Sequence, residues 1–188
     1  MYKSYFTLLL LALLFSSCGL IHFEPTINGL YSRYDKTNEA YPGLLVKTDT
    51  TTTVCNLQYT EEPKVYVVNG LQLKECLSNH DDAIVYIWDA HCTSKECYSP
   101  SLLQKYCDKK NVELYVVTEY YDGADLVQFY EINRPIFGID TKYYKADFIE
   151  KYVARFEADL NAEDKETGRM LYFKKGEYRG KAKLEFEN

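Results

Sequence analysis

The chain is poor in histidine and glycine, with three and nine among 188 residues. His22, His80 and His91 are scattered, which leaves no persuasive zinc-ligand spacing, and no glycine-rich phosphate loop is present. Neither a metal nor a cofactor is therefore expected. Cationic side chains are outnumbered, 22 Lys and Arg against 28 Asp and Glu, for a net charge of −6. That balance offers no broad basic face for nucleic acid. No internal repeat is present.

What the chain does have begins at its amino end. Lys3 precedes an apolar run from Phe6 to Phe15, too short to cross a bilayer comfortably, and Ser16-Ser17 then precede Cys18. The run reads as a secretory signal. The small-small-Cys ending resembles a bacterial lipobox, with Phe15 where Leu is usual. The resemblance implies cleavage after residue 17, acylation of Cys18 and a membrane anchor. The expected location is the bacterial cell envelope, facing the periplasm or the exterior. The mature chain of 171 residues (188 minus 17) is enough for one domain with a real core.

Five cysteines follow Cys18: Cys55, Cys76, Cys92, Cys97 and Cys107. Export implies an oxidising compartment where disulfides persist, and an odd number leaves at least one thiol over. Cys76 and Cys107 fall at apolar positions of predicted helices and read as buried, inert thiols. Cys55 follows a threonine-rich run and has no assignment from the sequence. Tyrosine is abundant, at 19 residues, and suits both core and rim because it packs an apolar body while wetting its hydroxyl.

Residues 18–60 read as a tether and irregular segment. Pro25, Asn28-Gly29 and Pro42-Gly43 act as breakers, and two short strands are predicted at residues 44–46 and 50–54. A domain is predicted over residues 61–188. Its elements are a strand at Val65-Tyr66-Val67-Val68 ending in Asn69-Gly70, a helix over 71–79, a strand over 83–87, and a helix to about residue 110. A strand over 112–117, a helix over 125–131 and a short strand over 135–139 follow. A helix opened by Asp147 as N-cap and a hairpin around Lys174-Lys175-Gly176-Glu177 complete the set. Strands alternating with helices argue an α/β fold whose largely parallel sheet is covered on both faces.

The stretch Trp88-Asp89-Ala90-His91-Cys92, with Cys97 and Pro100 after it, carries the best candidates for chemistry. A buried-strand pattern runs into a cysteine and a helical pattern begins just after. A thiol held at a helix amino terminus is favoured as thiolate. Within one continuous helix, cysteines five apart point about 140° away from each other. Thr93-Ser94-Lys95-Glu96 fits a capping box that would instead make Cys92 and Cys97 the two staple positions, whose side chains meet. A disulfide is then sterically open to them, structural or redox. His91 is a candidate to assist the thiol, and Arg134 a candidate source of positive charge.

Over residues 64–183 the chain resembles the thioredoxin-like family. Trp88 ends a strand four residues before Cys92, Cys92 opens the helix, Pro100 stands where the family's helix has its kinking proline, and Phe173-Lys174-Lys175-Gly176-Glu177-Tyr178 matches the last hairpin. The resemblance implies a central mixed β-sheet flanked by helices, with a helical insertion at about 133–165 before the hairpin. It also implies thiol–disulfide exchange, with protein thiols or disulfides as partners. The sequence departs from the family in three places. Lys95 stands where the second cysteine of Cys-x-x-Cys belongs, Tyr86 replaces the buried Asp, and the cis-proline position falls on Gly168 or, by an alternative alignment, on Pro135. Catalysis is therefore assigned to Cys92, Cys97 and His91, with Trp88, Pro100, Arg134 and Pro135 in support. Two alternatives stay open: a non-catalytic binding or scaffold lipoprotein that meets an unknown envelope protein, and a peroxiredoxin-like peroxidase suggested by Cys92-Thr93 and the five-residue cysteine spacing.

Overall fold

The computed structural model describes residues 29–49, 51, 53–92, 97–128, 131–164, 168–182 and 184. Cys18 and the signal, the capping box at 93–96, and Tyr130 lie outside the described residues. The described chain forms α1 (Tyr34–Ala40), β1 (Leu45–Lys47), a 3-10 turn (Val54–Asn56), β2 (Val65–Val68), α2 (Gly70–Leu77), β3 (Asp82–Trp88), α3 (Pro100–Lys110) and β4 (Glu113–Thr118). It continues through α4 (Gly123–Leu126), β5 (Ile136–Ile139), α5 (Ile149–Asp159), β6 (Met170–Lys174) and β7 (Glu177–Lys181).

The seven strands form one mixed sheet in the order β1-β2-β5-β4-β3-β6-β7. The first five run parallel, and β6 and β7 close the far side antiparallel. β3 explains the arrangement. Its residues alternate between two cores, Ala83, Val85 and Ile87 on one face and Ile84, Tyr86 and Trp88 on the other. A strand buried on both faces needs a layer of helix on each. α2 and α5 supply one layer through Leu73, Leu77, Tyr152 and Phe156, and α1, α3 and α4 supply the other through Tyr34, Leu103 and Leu126. Truncating fully buried Phe156 to Ala would cost about 3–5 kcal/mol.

Most elements fall where the periodicity put them, and the differences have physical causes. The strand ends at Val68, and the helix expected over 71–79 runs from Gly70 to Leu77. Asn69 is the N-cap of α2, in a reciprocal capping box with Gln72, and Gly70 is the first helical residue. A side chain on Gly70 would meet the Phe156 carbonyl at 2.6 Å, so the glycine permits α2 to cross α5 closely. The hairpin turns on Lys175 and Gly176, both with positive φ (52° and 78°), as a two-residue hairpin loop requires. Asp147 does not cap α5, whose N-cap is Phe148. The Asp147 carboxylate is instead taken by the Ser32 hydroxyl. Val54 opens a 3-10 turn and ends no strand.

Two corrections concern organisation. From Gly29 onward the expected tether is part of the domain. Leu30 accepts from the Ile149 amide (2.9 Å), Tyr31 bridges to Phe148, Ser32 pairs with Asp147 and Tyr121, and Thr37 donates to the Tyr121 carbonyl (2.6 Å). β1, just beyond α1, is an edge strand of the same sheet. The insertion at 133–165 is more than a helix. Its strand β5 enters the sheet between β2 and β4, with α5 behind it.

Five of the tyrosines in or near the core, Tyr86, Tyr115, Tyr121, Tyr144 and Tyr152, are held above the ordinary phenol range, chiefly by burial; Tyr86 is pushed up to about 12. An unfolded tyrosine ionises near pH 10. Above that pH the folded chain therefore keeps protons that the unfolded chain releases. The stability these phenols contribute is complete below about pH 10 and falls above it by about 1.4 kcal/mol per pH unit for each. The test is an alkaline titration that follows phenolate absorbance and circular dichroism together. The phenolate absorbance of the buried set is expected to rise only together with loss of circular dichroism.

Candidate functional site

The site lies where β3 ends. Trp88, its last residue, is buried against α3's layer, and its carbonyl accepts from the Glu119 amide (2.9 Å) just past β4. The chain must leave the sheet there. Asp89 makes the exit, its carboxylate accepting from the His91 amide (2.9 Å) and its carbonyl from the Cys92 amide (3.1 Å). This tight turn delivers Cys92 to the carboxyl end of the parallel strands, the end at which open α/β sheets present their crevices.

Cys92 and Cys97 are joined in a disulfide, with their Cα atoms 5.9 Å apart. Both are half-buried, so the bond lies at the surface and is not sealed in the core. Tyr86 braces the loop from below. Its ring is fully buried, and its hydroxyl donates to the Tyr98 carbonyl (3.0 Å), one residue beyond Cys97. A neutral phenol, held above the ordinary range chiefly by burial, thus stands beneath the loop.

The local structure corrects the expected helix. α3 begins at Pro100, not at Cys92, and Ser99 is its N-cap, accepting from the Leu102 amide (3.3 Å). The reason lies in the proline. A proline suits the first helical position, where no N–H is needed, and it drives the residue before it out of helical geometry; Ser99 has ψ 144°. Pro100 therefore starts the helix and does not kink its interior. Neither cysteine sits in a helix. The cap, Ser99, lies two residues past Cys97, the cysteine bonded to Cys92, so the disulfide sits just ahead of the start of α3.

His91 is exposed and its Nδ1 lies 3.1 Å from the Asp125 carboxylate, with its ring 6.5 Å from that of Tyr120. It stands at the rim beside the disulfide loop. Arg134 is elsewhere. It pairs with Asp108 (2.8 Å) and Glu113 (3.1 Å), and Glu113 is the first residue of β4, at the opposite end of the sheet from Trp88 and Thr118. Pro135 precedes β5 at that same side. Cys92, Cys97, His91 and Trp88 thus come together with the start of α3, whereas Arg134 and Pro135 do not join them. Among the described residues no peptide bond is cis, so neither Pro135 nor Gly168 supplies a cis-proline turn.

Two groups near the loop carried no signal in the sequence. Glu119, next to the end of β4, is buried and ion-paired to Arg169; burial holds its carboxyl above the usual range, and the Arg169 guanidinium opposes that shift. Arg169 also accepts from the Ile87 amide through its carbonyl (2.8 Å), which ties the pair to β3. Their partnership spans 50 residues and follows from the antiparallel docking of β6 on β3, which no local pattern announces.

The remaining cysteines need one correction. Cys76 is fully buried but is not a thiol: it is bonded to Cys55, fastening the 3-10 turn to α2. Cys107 is a buried free thiol whose ionisation is pushed up to about 11 by burial. The thiol left over among these five cysteines is thus an enclosed one. Of these five cysteines, thiol titration of the native protein should detect none, and titration after unfolding without reductant should detect one. Two or more thiols reacting in the folded protein would contradict this pairing. No family model, curated protein or solved structure matches the chain.

Proposed function

We propose that the protein is a membrane-anchored, thioredoxin-like oxidoreductase that exchanges disulfides with protein thiols through Cys92 and Cys97. The observation that carries this reading is the bond between those two cysteines, half-buried at the end of the central strand, where a partner thiolate has access. An α/β/α domain whose mixed sheet closes with the Phe173–Tyr178 hairpin suits the same reading. In the reducing direction, Cys92 as thiolate attacks a substrate disulfide. One substrate sulfur leaves as thiolate and a Cys92–substrate mixed disulfide forms. Cys97 then attacks Cys92, expelling the second substrate thiolate and restoring the Cys92–Cys97 bond. The substrate gains two electrons and the cysteine pair loses two. Acylated Cys18 would hold the domain at the cell envelope.

A second reading is favoured by one observation. The helix starts at Pro100 with Ser99 as its N-cap, so a serine and neither cysteine holds the capping position that ordinarily stabilises a reactive thiolate. In that reading the bond is a structural staple on a binding or scaffold lipoprotein. Insulin reduction separates the two. The exchange reading expects turnover with dithiothreitol as electron source, reduced at least tenfold in Cys92→Ser. Equal rates for Cys92→Ser and the unaltered protein would establish the staple.

A further inference from the structure

The anchor and the disulfide meet the domain at the same end. Leu30, Tyr31 and Ser32 are the first described residues bonded to the fold, and they join it beside Phe148 and Tyr121, past the carboxyl ends of β4 and β5. Arg33 reaches the Tyr120 hydroxyl (3.2 Å) and Asp122 (2.7 Å), while His91, next to Cys92, contacts the same Tyr120 ring. Cys18 precedes Gly29 by 11 residues. That length spans at most about 40 Å fully extended and about 18 Å as a flexible coil.

The exposed apolar side chains concentrate at that end too. Large hydrophobics exposed among the described residues are Tyr31, Leu71, Leu102, Val127 and Tyr143. Tyr31 lies on the incoming strap. Leu71 is in the first turn of α2 and Leu102 in the first turn of α3, both at the carboxyl end of the strands that feed them. Tyr143 follows β5. Four of the five therefore ring the rim that carries the disulfide. Scattered exposed residues carry no message, but a rim of tyrosine and leucine beside a short tether matches what a headgroup layer accepts.

We propose that this rim rests on the bilayer that holds the anchor, so that the Cys92–Cys97 bond is presented to cysteines lying at headgroup level in a membrane-embedded partner. The inference rests on the anchor and exchange readings above. It commits the rim to one occupant, the lipid surface. The rim also carries Asp49, Asp89, Asp122, Asp125 and Asp140, which makes a zwitterionic bilayer the appropriate probe.

Lysine acetylation mapped by mass spectrometry tests the inference on the full acylated chain in phosphatidylcholine vesicles, compared with the same chain in detergent. Exposed Lys47 at the end of β1 and Lys142 after β5 report the rim, and Lys109, Lys110 and Lys175 report the opposite end. The expected result is at least threefold protection of Lys47 and Lys142 in vesicles with the other three unchanged. The double variant Leu102→Asp, Tyr143→Asp should abolish that protection while the protein stays vesicle-bound. Acylated Cys18 with equal modification at both ends would overturn the orientation and leave the anchor reading standing. A Cys18 peptide without acyl chains would overturn the anchor reading and the orientation with it.

Discussion

The rest of the domain is organised around β3, which is hydrogen-bonded on both edges and buried on both faces. Parallel β4 holds one edge and antiparallel β6 the other, and the side chains of residues 83–88 are shared between two helical layers. A strand so confined has one exit for the chain. It must turn at Asp89, because Trp88 is the last residue that the sheet encloses. The place of Cys92 follows from that turn, and the buried Tyr86 hydroxyl then fixes the returning loop at Tyr98. The disulfide spans two segments that the sheet has already brought close.

The same constraint separates the two disulfides. Cys55–Cys76 has one sulfur wholly inside the core between the 3-10 turn and α2, where it is part of the packing. Cys92–Cys97 closes a small loop at the rim and is half-exposed. Burial, more than any special helix geometry, distinguishes a bond available for exchange from one that only holds the fold. Ser99, and not Cys92, caps α3, so the loop's own surroundings bear on the reactivity of a reduced Cys92. Nearby are exposed His91, facing Asp125, and buried Glu119 paired with half-buried Arg169.

Much of the fold was legible because the central strands are short apolar runs between turn signals. Val65-Tyr66-Val67-Val68 and the hairpin turn at Lys175-Gly176 read directly from residue type. The helical pattern around Cys97 does not survive Pro100, whose steric effect holds Ser99 in extended geometry and sets the helix boundary there. The place of β5 was illegible, since a strand's neighbours depend on contacts far along the chain. The same applies to residues 29–41, whose hydrogen bonds to Tyr121 and Asp147 leave no periodic trace, and to the Cys55–Cys76 pair.

Of the candidate site, Cys92, Cys97, His91 and Trp88 were readable from their position at the end of an apolar strand, whereas Arg134 was drawn in by charge alone and belongs to Asp108 and Glu113 at the other end. The proposed exchange requires the surface bond to be the reversible one. Stepwise reduction in dithiothreitol buffers of decreasing potential, with the thiols alkylated and mapped at each step, measures this directly. Cys92 and Cys97 are expected to become alkylated together, reversibly and with the fold intact, well before Cys55 and Cys76. Simultaneous reduction of both bonds on unfolding, or earlier reduction of Cys55–Cys76, would contradict the proposed exchange.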